Sequence, residues 1–223
     1  MRNLKRMAAF LTALILCLGL SVTASAAEED TGFSDVAADA WYAEAAVYCR
    51  DNGLMNGTTA TTFSPNATMT RAQLCAVLYR MAGSPEMAGQ DSFADTPDGA
   101  WYEDAVLWAV QNRIMSGYTD RTFGPDDPIT REQLAAILWR YAGSPAAEAG
   151  EAYTDEASIA SWAVTAVDWA QAYGFINGMT DGSFRPDGRA TRAQVAAILM
   201  RYDQARTEEP SPEPAPEEDT DVL

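Results

Sequence analysis

The chain has 223 residues, 32 acidic and 15 basic, no histidine and a formal net charge of −17. That balance disfavours nucleic acid as a partner, since phosphate neutralisation needs a basic face. It also excludes histidine-based catalysis, and neither a Gly-x-Ser-x-Gly elbow nor a phosphate-binding glycine loop is present.

Arg2, Lys5 and Arg6 precede the apolar run 7–20, and Ala24-Ser25-Ala26 forms a small-x-small cleavage site. Residues 1–27 therefore read as a secretory signal peptide, cut after Ala26 or Ala27, and not as a membrane anchor. Leu16, just before Cys17, is too large for a lipoprotein cleavage site. Without its three basic residues the mature chain keeps 12 basic against 32 acidic side chains, a charge of about −20, and no lysine. Such a chain is soluble and self-repelling, and no membrane contact is expected after cleavage. An anion bound here must be met by locally focused arginine.

The rest is a tandem repeat. Phe33-Ser34-Asp35, Phe93-Ala94-Asp95 and Tyr153-Thr154-Asp155 open three units at intervals of 60 residues. Trp41, Trp101 and Trp162 follow, the last one residue late. Then come Asn56-Gly57, Ser116-Gly117 and Asn177-Gly178, and Phe63-Ser64-Pro65, Phe123-Gly124-Pro125 and Phe184-Arg185-Pro186. The units span 28–85, 86–145 and 146–206. Each reads helix, loop, helix. In the second unit Trp101, Ala105, Trp108 and Ala109 form one apolar face of the first helix. Gly53 and Gly174 are helix stops, as are Gly83 and Gly143 with proline two residues on.

The second helix of each unit starts with Thr70-Arg71-Ala72-Gln73, Thr130-Arg131-Glu132-Gln133 or Thr191-Arg192-Ala193-Gln194. Thr-x-x-Gln is a capping box: the hydroxyl takes an orphan N–H of the first turn, and the amide reaches back to the cap residue's own N–H. Leu74, Val77, Leu78 and Met81 then lie on one face, as do Leu134, Ile137, Leu138 and Tyr141, and Val195, Ile198, Leu199 and Tyr202. Arginine on the first turn meets the positive end of the helix dipole. Its threefold recurrence suggests that cation and helix amides together serve an anion.

Two short helices cannot bury a useful core; three units offer six, enough for one domain. The segment 207–223, rich in proline and glutamate, is expected to be a disordered acidic tail. Cys49 and Cys75 both lie in the first unit and have alanine counterparts; they read as small buried helix positions, with a disulfide as the alternative that export permits. The acidic loops match no EF-hand, and no metal or cofactor is expected.

In order and recurrence these motifs resemble S-layer homology domains, from Phe33 to Tyr202. Gln73, Gln133 and Gln194 stand where that family usually has glutamate, and Glu132 where it has alanine. The resemblance implies an all-α pseudo-threefold spindle of three helix-loop-helix repeats, with one helix of each packed at the centre. It implies grooves between repeats that bind secondary cell wall polysaccharide, often at a terminal pyruvylated sugar. Carried onto this chain, the glycan-binding residues are Arg71, Arg131 and Arg192, with Gly57, Gly117 and Gly178 and Trp41, Trp101 and Trp162.

Each assignment has a structural alternative. For the arginines it is a salt bridge to Asp35, Asp95 or Asp155, though arginine suits bidentate capture of a carboxylate. For the tryptophans core packing is preferred, with one ring edge left for sugar. For the glycines it is a positive-φ turn position. The opening aspartates read as caps of the first helix or turn formers. The expected function is a non-catalytic module of the cell wall or surface, attached non-covalently to an anionic, pyruvylated wall polysaccharide. The alternative is a surface-layer or docking protein that assembles with other exported proteins without glycan.

Overall fold

The computed structural model describes residues 31–89 and 93–208. The signal-peptide reading and most of the acidic tail fall outside that range. Two helices come from each unit: α1 (Ala43–Asp51) and α2 (Arg71–Met81), α3 (Glu103–Gln111) and α4 (Arg131–Tyr141), α5 (Val164–Ala172) and α6 (Arg192–Glu208). Among the described residues these six helices, one 3-10 turn at Glu156–Ser158 and isolated bridges make up the regular structure. The fold is all-α, as expected.

All three capping boxes form. Thr70, Thr130 and Thr191 each accept an N–H from the glutamine three residues on, and each donates its own N–H to that glutamine's side chain. Gly83 and Gly143, at φ 82° and 85°, stop α2 and α4. The third unit has Gln204 at that position, and α6 runs on to Glu208, taking Thr207 and Glu208 out of the expected tail. Gly53 and Gly174 terminate α1 and α5 at φ 66° and 68°; in the second unit Arg113 takes the left-handed position at φ 58°.

The helices pair between units. α2 packs on α3, α4 on α5, and α6 returns to α1. Each second helix thus covers the first helix of the following unit, and the last unit closes on the first. Leu74, Leu78, Leu134, Leu138, Val195 and Leu199 are at most 1% exposed on these faces. Each such side chain contributes about 1.5–3 kcal/mol by leaving water. Tyr48 on α1 donates a hydrogen bond to Asp203 on α6 at 2.8 Å, tying the first unit to the last.

At the centre the backbone itself forms a ring. Met69 N–H donates to the Ala190 carbonyl, Ala190 N–H to Ile129, and Ile129 N–H to Met69, each at 2.9 Å. These are the residues just before the three threonine caps, so each helix start is locked to the other two.

Two expectations change here. Trp101 precedes α3 and is 65% exposed, so the buried face is made by Ala105, Val106, Trp108 and Ala109. Cys49 and Cys75 are free thiols, fully buried, and the disulfide alternative falls. Cys49 donates to the Ala196 carbonyl, and Cys75 lies 3.1 Å from the Met115 sulfur. The 3-10 turn of the third unit is tied to the second. Glu132, buried, accepts the Ala160 N–H at 2.9 Å just beyond the 3-10 turn. Ala72 and Ala193, at the same position in the other units, cannot make such a bond.

Candidate functional site

Each motif arginine crosses into the following unit. Arg71 Nε donates to the Phe123 carbonyl at 2.9 Å and Nη2 to Ser116 at 2.7 Å. Arg131 does the same to Phe184 and Asn177, and Arg192 closes the cycle on Phe63 and Asn56. Each guanidinium also lies over the phenylalanine ring of that loop, 4.6–5.0 Å from the centroid. The three residues are only 5–7% exposed. Burial pushes the Arg131 and Arg192 side chains below the ordinary guanidinium value.

The salt-bridge alternative fails on geometry. Asp35 accepts the N–H groups of Phe63 and Ser64 at 2.7 Å, and Asp95 and Asp155 hold the matching pairs in their own units. These aspartates neither cap the first helix nor ion-pair with the arginines; they pin the opening of a unit to its own loop. Burial works to raise the Asp95 and Asp155 carboxyls, but the donated N–H groups outweigh it and hold both below the usual carboxylate range.

The helix amides do not serve an anion either. Arg71 N–H donates to Asp127 and Ala72 N–H to Pro125, and the other two units repeat this pairing with Gly188 and Pro186, and with Ala67 and Pro65. The first-turn donors are spent on the neighbouring loop.

Gly57, Gly117 and Gly178 are not among the positive-φ residues, contrary to the turn reading. They are glycine because of close approach. A Cβ at Gly57 would stand 2.4 Å from the Thr59 carbonyl and 2.6 Å from Thr62, and one at Gly117 would meet Thr119 at 2.5 Å and the Phe93 ring at 2.4 Å. Gly178 is less confined, with the Tyr153 ring at 2.7 Å and Ser183 at 3.1 Å.

The three residue types nevertheless converge, one from each unit, in three grooves. Groove A has Arg192 from the third unit, Gly57 and the α2 face from the first, and Trp101 from the second. Groove B has Arg71, Gly117 with α4, and Trp162. Groove C has Arg131, Gly178 with α6, and Trp41. The tryptophans are 50–66% exposed, so the core-packing preference is overturned: they stand at the groove edges. Sequence reasoning missed a second arginine in each groove, Arg80 in A, Arg140 in B and Arg201 in C, each nine residues beyond the motif arginine of its own helix, which lines a different groove. That spacing was itself a readable signal. Arg80 and Arg201 each spend one Nη1 bond on a carbonyl, of Leu54 and Phe175.

A guanidinium on the floor, a second on the wall, a glycine loop and an exposed indole suit an anionic ligand with an apolar face. The family model described as S-layer homology domain matches residues 32–75, 92–135 and 152–196, well over half the chain. The chain belongs to the S-layer homology domain family. An amylopullulanase of Thermoanaerobacterium thermosulfurigenes is 32% identical over 78% of the chain and 10% of its own length. A cellulosome-anchoring protein of Acetivibrio thermocellus is 29% identical over 62% of the chain and 33% of its length. A surface-layer 125 kDa protein of Lysinibacillus sphaericus is 28% identical over 88% of the chain and 17% of its length. The chain thus spans a tenth to a third of these relatives. What it shares with the amylopullulanase is a small, non-catalytic part. Membership of this family, with surface-layer and cellulosome-anchoring proteins among the relatives, places the chain at the cell wall or surface. No helix among the described residues is long and apolar enough to cross a membrane.

Proposed function

We propose that the protein attaches non-covalently to an anionic wall polysaccharide, with a pyruvate ketal on a terminal sugar as the recognised group. One observation carries the reading: each groove takes its arginine, its loop glycine and its tryptophan from three different units, so no single repeat forms a groove by itself. The ketal carboxylate lies between the two groove arginines, and the sugar's apolar face lies on the indole. In a chain of charge −17 these grooves concentrate what little positive charge there is. The cellulosome-anchoring and surface-layer relatives support attachment as the purpose.

Removing the motif arginines is a poor test, because they also hold the loops. The tryptophans are exposed, and a Trp41→Ala, Trp101→Ala, Trp162→Ala triple variant keeps the core. The wild type co-sediments with wall sacculi; the triple variant, and sacculi freed of ketal pyruvate by mild acid, lose that co-sedimentation. Retention in both would contradict glycan recognition. Concentration-dependent assembly without sacculi would favour the docking alternative.

A further inference from the structure

The grooves are not equivalent. Groove A encloses about 440 Å³ and groove C about 500 Å³, but groove B only about 180 Å³. The residue after the loop glycine differs along with the volume. It is Thr58 in groove A, Met179 in groove C and Tyr118 in groove B. The Arg71 guanidinium lies 4.4 Å from the Tyr118 ring centroid and 4.6 Å from that of Phe123, so two rings attend it. Arg131 and Arg192 have one phenylalanine each.

A second position adapts to the first. Gly124 stands where the other units have Ser64 and Arg185, and all three residues take a left-handed φ. A Cβ at Gly124 would lie 2.5 Å from Tyr118 Cε2. A side chain at residue 124 would press on the tyrosine ring where it lies. In groove A the same two positions form a small polar pair, Thr58 Oγ1 and Ser64 Oγ at 2.6 Å. In groove C Arg185 turns to Asp181 at 2.8 Å.

We propose that Tyr118 closes groove B to the glycan, so that each chain takes the ketal-bearing sugar in grooves A and C alone. This rests on the glycan reading above. The ring satisfies the Arg71 cation in place of a carboxylate, and it fills the space a hexose would need. A polysaccharide held at two of three positions leaves the Trp162 face of the molecule bare.

The tryptophan indoles report each groove separately: Trp101 for A, Trp162 for B, Trp41 for C. The full folded protein, labelled with nitrogen-15, is titrated with a methyl hexoside bearing a 4,6-pyruvate ketal. The indole N–H signals of Trp41 and Trp101 move and that of Trp162 does not, and calorimetry gives two sites. In Tyr118→Thr, and in Tyr118→Met, which restore the residues of grooves A and C, the Trp162 signal moves and a third site appears. Movement of Trp162 in the wild type over the same concentrations as the other two would overturn the proposal and leave the glycan reading standing. So would a silent Trp162 in both variants while Trp41 and Trp101 still respond. Silence of all three indoles in the wild type would instead sink the glycan reading, and this proposal with it.

Discussion

The axis of the molecule and the mouths of its grooves obey different rules. At the axis the three units are interchangeable: the same ring of backbone hydrogen bonds, the same capping boxes, the same arginine reaching the same two carbonyls. At the mouths they diverge, with Thr58, Tyr118 and Met179 at one position and Ser64, Gly124 and Arg185 at another. The axis closes on buried backbone donors and acceptors, and an orphaned one there costs about 1–3 kcal/mol. The mouths face water, where exchanges of side chain cost little, so their chemistry is free to vary with the ligand.

The largest effect belongs to the axis. Arg192→Ala leaves the Phe63 and Asn56 carbonyls without their donor and weakens the seam between last and first units. It lowers unfolding free energy by about 2–4 kcal/mol, read by denaturant titration. Next come the glycines. Gly57→Ala drives a methyl into two backbone carbonyls and costs about 1–3 kcal/mol. Gly178→Ala, facing one carbonyl at 3.1 Å and a tyrosine ring, costs less, and equal losses would erase the distinction between these sites.

Asp95→Asn comes third. Asp95 and Asp155 sit below the ordinary carboxylate value when folded, so the stability they contribute is fully present above about pH 4 and is lost as pH falls through their folded values. The substituted amide keeps one acceptor oxygen for two N–H donors and costs about 1–2 kcal/mol at pH 7. Its deficit against the wild type shrinks in melts at pH 3. A deficit independent of pH would place the effect outside the carboxyl charge. The smallest stability change is at the mouth: Trp101→Ala shifts unfolding by less than about 0.5 kcal/mol while weakening wall co-sedimentation.

The same division decides what was legible in the sequence. Helix starts were readable because Thr-x-x-Gln is a local device, complete within four residues. The apolar stripes were readable from their spacing. The destination of the arginines was not, because their acceptors lie 45–53 residues downstream, or 129 and 136 residues upstream for Arg192, and only the closed ring brings them close. Trp41, Trp101 and Trp162 misled because a recurrent tryptophan suits a core as well as a rim. The loop glycines were recognised as required, but a tight backbone approach and a left-handed φ leave the same letter.

The central claim is that these grooves recognise a carboxylate carried on a sugar. Calorimetric titration of the folded protein with a methyl hexoside bearing a 4,6-pyruvate ketal, beside the same hexoside without it, tests this most directly. The account predicts heat of binding for the ketal sugar, none for the neutral one, and loss of that heat in the triple tryptophan variant. Equal binding of both sugars, or binding undiminished by removal of all three indoles, would contradict it.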